Sequence, residues 1–154
     1  MAMYPELIQQ AMGMAGAVAC LGLSATGSAF GTGFAATSAV GAWKKCYAQN
    51  KPAPFILLGL VGAPITQTLY GMILMFLMFG KAQLGLPLLI LGIFAGLGIG
   101  MSAFFQGLAA AAACDAQAET GQGFTNYLAA IGIVETVAIF TMVFALIAIS
   151  NIGV

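Results

Sequence analysis

The chain reads as long apolar windows separated by a handful of charges. Residues 7–43, 52–80 and 82–114 hold no charged side chain, and residues 120–154 hold one, Glu135. A membrane-spanning helix needs about 20 predominantly apolar residues. Each window accommodates one such helix and none comfortably holds two. The pattern therefore predicts four spans, near residues 8–45, 54–79, 85–117 and 123–150. The connections are KKCYAQNKPAP, the short GKAQLGLP and AQAETGQG. At ~1.5 Å per residue, the first helix is long enough to project beyond a bilayer. A transmembrane β-barrel would alternate apolar and polar positions over about 10 residues, and these windows do not.

Lys44, Lys45 and Lys51 all fall in the first connection. Lysines concentrate on the cytoplasmic side of membrane proteins, so this connection and the third, residues 115–122, are expected in the cytoplasm. Both termini and Lys81 then face outside. The N-terminal MAMYPELIQQ carries no Lys or Arg. It lacks the basic start of a cleavable signal peptide, so the first apolar stretch is expected to stay in the mature protein.

The two halves repeat. SAFGTGFAA (28–36) aligns with SAFFQGLAA (102–110) at six of nine positions, and TQT (66–68) aligns with VET (134–136), which sets Gln67 opposite Glu135. The chain is thus expected to be an all-α membrane protein of two duplicated hairpins, residues 1–80 and 81–154. Both hairpins run out and back in the same orientation. Helices one and three carry small residues at four-residue spacing: Gly27 and Gly31, then Gly92, Gly96, Gly100, Ala103 and Gly107. Such spacing lets backbones approach closely. Packing within one bundle and packing between copies in an inner ring both account for it.

Composition agrees with the pattern. Of 154 residues, 62% are hydrophobic and 5% charged, against about 45–50% and about 25% in soluble domains. A water-soluble globule and a disordered chain are both excluded. Net charge is zero, so no basic stripe exists to hold nucleic acid. Without His, the common zinc sites and His-dependent catalytic pairs are absent. Cys20, Cys46 and Cys114 are widely separated and odd in number. They are expected to be small packing residues rather than a redox pair. No GxxxxGK[ST] phosphate loop is present, so the chain does not hydrolyse ATP itself.

The candidate chemistry is the carboxylate. Glu135 lies about halfway along the last apolar window. A charge at the bilayer centre costs at least about 2.5–3.5 kcal/mol, which marks such residues as functional candidates. In the second span, Ala63, Thr66, Gln67 and Tyr70 recur at i, i+3, i+4, i+7 and share one helical face. Thr66 and Gln67 offer oxygens, and Tyr70 offers a hydroxyl that can donate. Pro64 cannot donate to the Leu60 carbonyl, so a backbone oxygen is expected to be free nearby. In the third span, Gln106 is the only strongly polar side chain at depth, and its counterpart in the first half is Thr32. Glu135, Gln67, Thr66 and Gln106 supply four side-chain oxygens, and a carbonyl near Pro64 makes five. An all-oxygen set suits a hard cation. One carboxylate neutralises a monovalent ion but leaves a divalent one charged in lipid, which favours Na⁺ over Ca²⁺ or Mg²⁺. The same groups can also hydrogen-bond a protonated Glu135, so H⁺ is the alternative cargo. Burial disfavours the charged form of an empty carboxylate and a bound cation favours it, so Na⁺ and H⁺ are expected to compete.

These features resemble the proteolipid of V-type rotary ATPases, the c or K subunit of the membrane ring. The resemblance spans nearly the whole chain and is closest to the bacterial sodium-pumping enzymes. It rests on PITQTLY (64–70), on Gln106 in FQG and on VET (134–136). It implies Na⁺ ligands from the side chains of Thr66, Gln67, Gln106 and Glu135 and from the backbone carbonyl of Ala63. Tyr70 would hydrogen-bond Glu135 rather than ligate. Position 63 is Ala where the sodium-type family often has Leu, a change that a backbone ligand tolerates. The resemblance also implies a homo-oligomeric rotor ring, a stator subunit supplying an essential Arg, central-stalk subunits and a bacterial inner membrane. It implies no organic cofactor and no catalysis by this chain alone. With Gln67 in place of a first-half carboxylate, four helices carry one ion. Moving one charge against 100 mV costs about 2.3 kcal/mol, so fewer ions per turn favours pumping up a steep gradient. A proton-carrying rotor, and a non-rotary four-helix channel or transporter, are the alternatives.

Overall fold

The computed structural model describes residues 3–152, all of its regular structure helical. Helix α1 runs Met3–Ala48 and α4 Leu86–Thr120; α5 runs Phe124–Asn151. The second span is α2 (Leu57–Gly62), a 3₁₀ turn (Ala63–Ile65) and α3 (Thr66–Phe79) in sequence. All four spans are long and apolar enough to cross a membrane, and their boundaries lie within a few residues of those expected for spans two to four. The first helix starts five residues earlier, at Met3. At 46 residues it is ~69 Å long, more than twice a ~30 Å hydrocarbon core.

Ends and corners follow local chemistry. Gly121, at φ +66°, closes α4 with its N–H on the Gln117 carbonyl at 2.9 Å, a left-handed cap that glycine adopts without strain. Gly85, at φ +64°, turns the chain into α4, where Pro87 sits in the first helical turn. Lys81 Nζ donates to the Ile149 carbonyl at 2.9 Å, placing a cation at the C-terminal end of α5 where the helix dipole favours it. At the opposite end of the bundle, Trp43 Nε1 donates to the Pro54 carbonyl at 2.8 Å. Lys45 Nζ pairs with Asp115 Oδ1 at 3.0 Å and lies 4.0 Å from Glu119.

The α1–α4 pair is the spine. A Cβ on Gly16 or Gly27 would strike the backbone of Leu88 and Leu89 or of Gly100, and one on Gly31 that of Ala103. Contacts ascend together along both helices, so α1 and α4 are parallel. Gly31 meets Pro64 and Gly71 meets Ser24, so the second span runs antiparallel to them. The small-residue runs on α1 and α4 thus pack against each other inside one chain. Cys20, Cys46 and Cys114 are buried and unpaired with one another.

The interior is two apolar clusters with a polar layer between. One gathers Cys20, Leu74, Met78, Leu88 and Ile99; the other gathers Ala39, Leu57, Leu60, Ala110 and Ile131. Between them in the chain lie the buried Ser24, Gln67, Ser102 and Gln106. Outside, Phe76, Phe94, Phe140 and Phe144 are exposed, with many other large apolar side chains. A surface this apolar is suited to lipid rather than water.

Candidate functional site

Pro64 shapes the site from the backbone. Having no N–H, it breaks the second span into the 3₁₀ turn between α2 and α3. The Leu60 carbonyl, expected to be free, accepts the Ala63 N–H instead. The tighter i→i−3 bond of the turn supplies the partner that proline withholds. The carbonyl that reaches the polar cluster is that of Ala63, 3.2 Å from Thr66 Oγ1.

Four elements bring the predicted residues together. Thr66 Oγ1 lies 2.7 Å from Glu135 Oε1 and 3.1 Å from Gln67 Oε1. Tyr70 donates its hydroxyl to the same Glu135 oxygen at 2.7 Å. Gln67 Nε2 donates to Gln106 Oε1 at 2.6 Å. Gln106 Nε2 in turn donates to Glu135 Oε2 and to the Ile131 carbonyl, both at 3.2 Å. Gln67 and Gln106 are fully buried, whereas Thr66, Tyr70 and Glu135 are half-buried. The cluster is therefore sealed on its inner side by two amides and is more open on the α5 side.

Ala63, Thr66, Gln67, Gln106, Tyr70 and Glu135 all meet here. Thr32, the repeat counterpart of Gln106, does not; it lines an open groove beside Ile65 and Thr68. One detail differs from the resemblance, which has Gln106 present an oxygen ligand. Here its oxygen is taken by Gln67 and its amide nitrogen faces Glu135. A carboxylate attracts a donor, and the two ends of an amide are interchangeable by a half-turn. Two participants escaped sequence reasoning. Ser102 donates to the Val134 carbonyl at 2.9 Å, tying α4 to α5 one residue before Glu135. The Ile131 carbonyl holds the Gln106 amide. Ser102 stands inside the repeated SAF motif, which was the available signal; Ile131 contributes only backbone and left none.

The protons in this cluster can be counted. Thr66 Oγ1 touches three acceptor oxygens, of Ala63, Gln67 and Glu135, and carries one proton. A protonated Glu135 would supply a second. With the amides as placed, one of the three close oxygen pairs lacks a proton when Glu135 is protonated and two lack one when it is ionised.

Fold and site together define an integral membrane protein of four spans with one carboxylate held at depth by hydrogen bonds from neighbouring helices. Residues 89–148 match the family model for the C subunit of ATP synthase. The matched segment runs from the start of α4 to near the end of α5 and contains both Gln106 and Glu135. The match makes this segment, rather than the whole chain, similar to rotary-ATPase proteolipids. No curated protein matches the chain.

Proposed function

We propose that this chain is the rotor subunit of a V-type ATPase that carries one Na⁺ per copy at Glu135. The observation that carries the reading is the convergence of three oxygens, of Ala63, Gln67 and Glu135, within 3.2 Å of Thr66 Oγ1. Ligands come from Thr66, Gln67, Glu135 and the Ala63 carbonyl, with Gln106 joining after a turn of its amide. Tyr70 holds the Glu135 carboxylate inward. A stator Arg competes for that carboxylate and releases the ion into a half-channel. Rotation of the ring then carries the reloaded site to the other side, coupled to ATP hydrolysis or synthesis in the soluble head. The three lysines of the first connection support a cytoplasmic position for both hairpin loops, in a bacterial inner membrane.

The test is ATP hydrolysis by the whole complex with and without Na⁺, repeated with Glu135→Gln. The reading expects hydrolysis stimulated by Na⁺, and loss of that stimulation in the variant. Hydrolysis indifferent to Na⁺ from pH 6 to 9, yet abolished by Glu135→Gln, would assign the site to protons instead.

A further inference from the structure

A hydroxyl inside a helix has a ready partner in the carbonyl one turn back. Ser24, Thr26, Thr37, Thr141 and Ser150 take it, each donating at 2.7–2.9 Å to the residue four positions earlier. Ser102 does not. It is 4% exposed and donates across the seam between two helices, to the Val134 carbonyl of α5 at 2.9 Å. That carbonyl belongs to the residue before Glu135, and a helical carbonyl keeps a second lone pair for such a bond. The internal repeat supplies a comparison. Ser28, the mate of Ser102 in the SAF motif, is 5% exposed and its hydroxyl has no hydrogen-bond partner. The second span beside it carries Gln67 where α5 carries Glu135. The same motif therefore ties its serine to a neighbouring helix only in the half that keeps the carboxylate.

We propose that Ser102 is a positioning residue for the ion site. Its bond holds the turn of α5 that carries Glu135 against α4, and so sets where the carboxylate meets Thr66, Tyr70 and Gln106. Those three contacts need Glu135 at 2.7, 2.7 and 3.2 Å, and a binding constellation tolerates only about 0.5 Å of misplacement. Side-chain packing grips α5 sparsely at this level: the buried α5 residues on either side of Glu135 are Ile131 and the small Ala138. Among the described residues, the other bond from α4 to the α5 backbone here is that of Gln106 Nε2 to the Ile131 carbonyl, at 3.2 Å. The inference rests on the reading of Glu135 as the ion carrier. With Na⁺ as the cargo, the Gln106 amide turns to offer its oxygen and gives up the Ile131 carbonyl. Ser102 is hydrogen-bonded to no ion ligand, so its tie persists through that turn and keeps the α5 backbone in place. Ser38 marks the contrast. It also crosses between helices, to the Ala111 carbonyl at 2.6 Å. It joins α1 to α4, whose backbones already meet at Gly31 and Gly107, and it takes no part in the cluster.

The test compares Ser102→Ala, Ser102→Thr and Ser38→Ala in the full chain in its membrane. Three quantities are read: the rate at which dicyclohexylcarbodiimide labels Glu135 without Na⁺, the Na⁺ concentration that half-protects it, and the melting temperature of the solubilised protein. Ser102→Ala is expected to speed labelling and to raise the half-protecting concentration roughly two- to twelvefold, the range of one net hydrogen bond. Ser102→Thr keeps the hydroxyl and is expected to restore both. Ser38→Ala is expected to move neither, whatever it does to the melting temperature. A Ser102→Ala protein that changes only in melting temperature makes the serine a packing residue and overturns the proposal. Equal shifts in Ser102→Ala and Ser38→Ala overturn it too, as do equal shifts in Ser102→Ala and a Ser102→Thr protein that melts like the wild type. Absence of Na⁺ protection in the wild type overturns the Na⁺ reading instead. The labelling rate then decides alone: faster labelling in Ser102→Ala upholds the positioning role, and a wild-type rate overturns it.

Discussion

Replacing Thr66 by Val removes one hydroxyl at nearly constant shape and tests the oxygen cluster at its centre. Thr66 Oγ1 is the atom on which Ala63, Gln67 and Glu135 converge, at 3.2, 3.1 and 2.7 Å. A hydrogen bond to a charged group contributes roughly 1.5–3 kcal/mol, and an ion ligand at the same place is taken as comparable. Each 1.4 kcal/mol is tenfold in affinity, so Na⁺ binding should weaken roughly 10- to 150-fold. The assay is protection of Glu135 from dicyclohexylcarbodiimide in membranes containing the ring, titrated with Na⁺ at fixed pH. The half-protecting concentration is expected to rise by that factor, while labelling without Na⁺ persists. A half-protecting concentration within threefold of wild type would refute the reasoning, because Thr66 would then not be a ligand.

Other consequences can be checked alongside. Lowering the pH should raise the Na⁺ concentration needed for protection in the wild type, since protons and Na⁺ compete for one carboxylate; protection independent of pH between 6 and 9 would contradict this. Tyr70→Phe removes a donor at 2.7 Å from Glu135 Oε1 and should speed carbodiimide labelling without Na⁺ more than it changes Na⁺ affinity; the reverse order would make Tyr70 a ligand. Gly27→Leu places a side chain into the Gly100 backbone, where overpacking costs about 1–3 kcal/mol or more, and should lower the melting temperature of the solubilised ring. Asp115→Asn breaks an exposed pair with Lys45 that solvent and salt screen, and should leave that melting temperature unchanged.

Much of the fold was legible because charge is so scarce. Lys44, Lys51, Lys81, Asp115 and Glu119 mark the connections between spans, and in lipid a helix satisfies its backbone polar groups within a single span. The site was legible for a related reason. Gln67, Gln106 and Glu135 are costly at depth, so each signalled a partner. Backbone detail was not. The i→i−3 bond that occupies the Leu60 carbonyl depends on how tightly the chain turns at Pro64, which residue types do not state. The partner of the glycine runs was equally hidden: Gly31 and Gly107 have the same spacing signature for an internal neighbour as for a second copy. The Lys81 cap on Ile149 escaped notice because it joins a loop to a carbonyl far along the chain, with no pattern linking the two.

The central claim is most directly tested by equilibrium binding of radioactive Na⁺ to the purified ring, counted per chain. One ion per chain that is lost in Glu135→Gln and displaced by acid is the predicted result. Absence of saturable Na⁺ binding in the wild type, or full binding retained in Glu135→Gln, would contradict it.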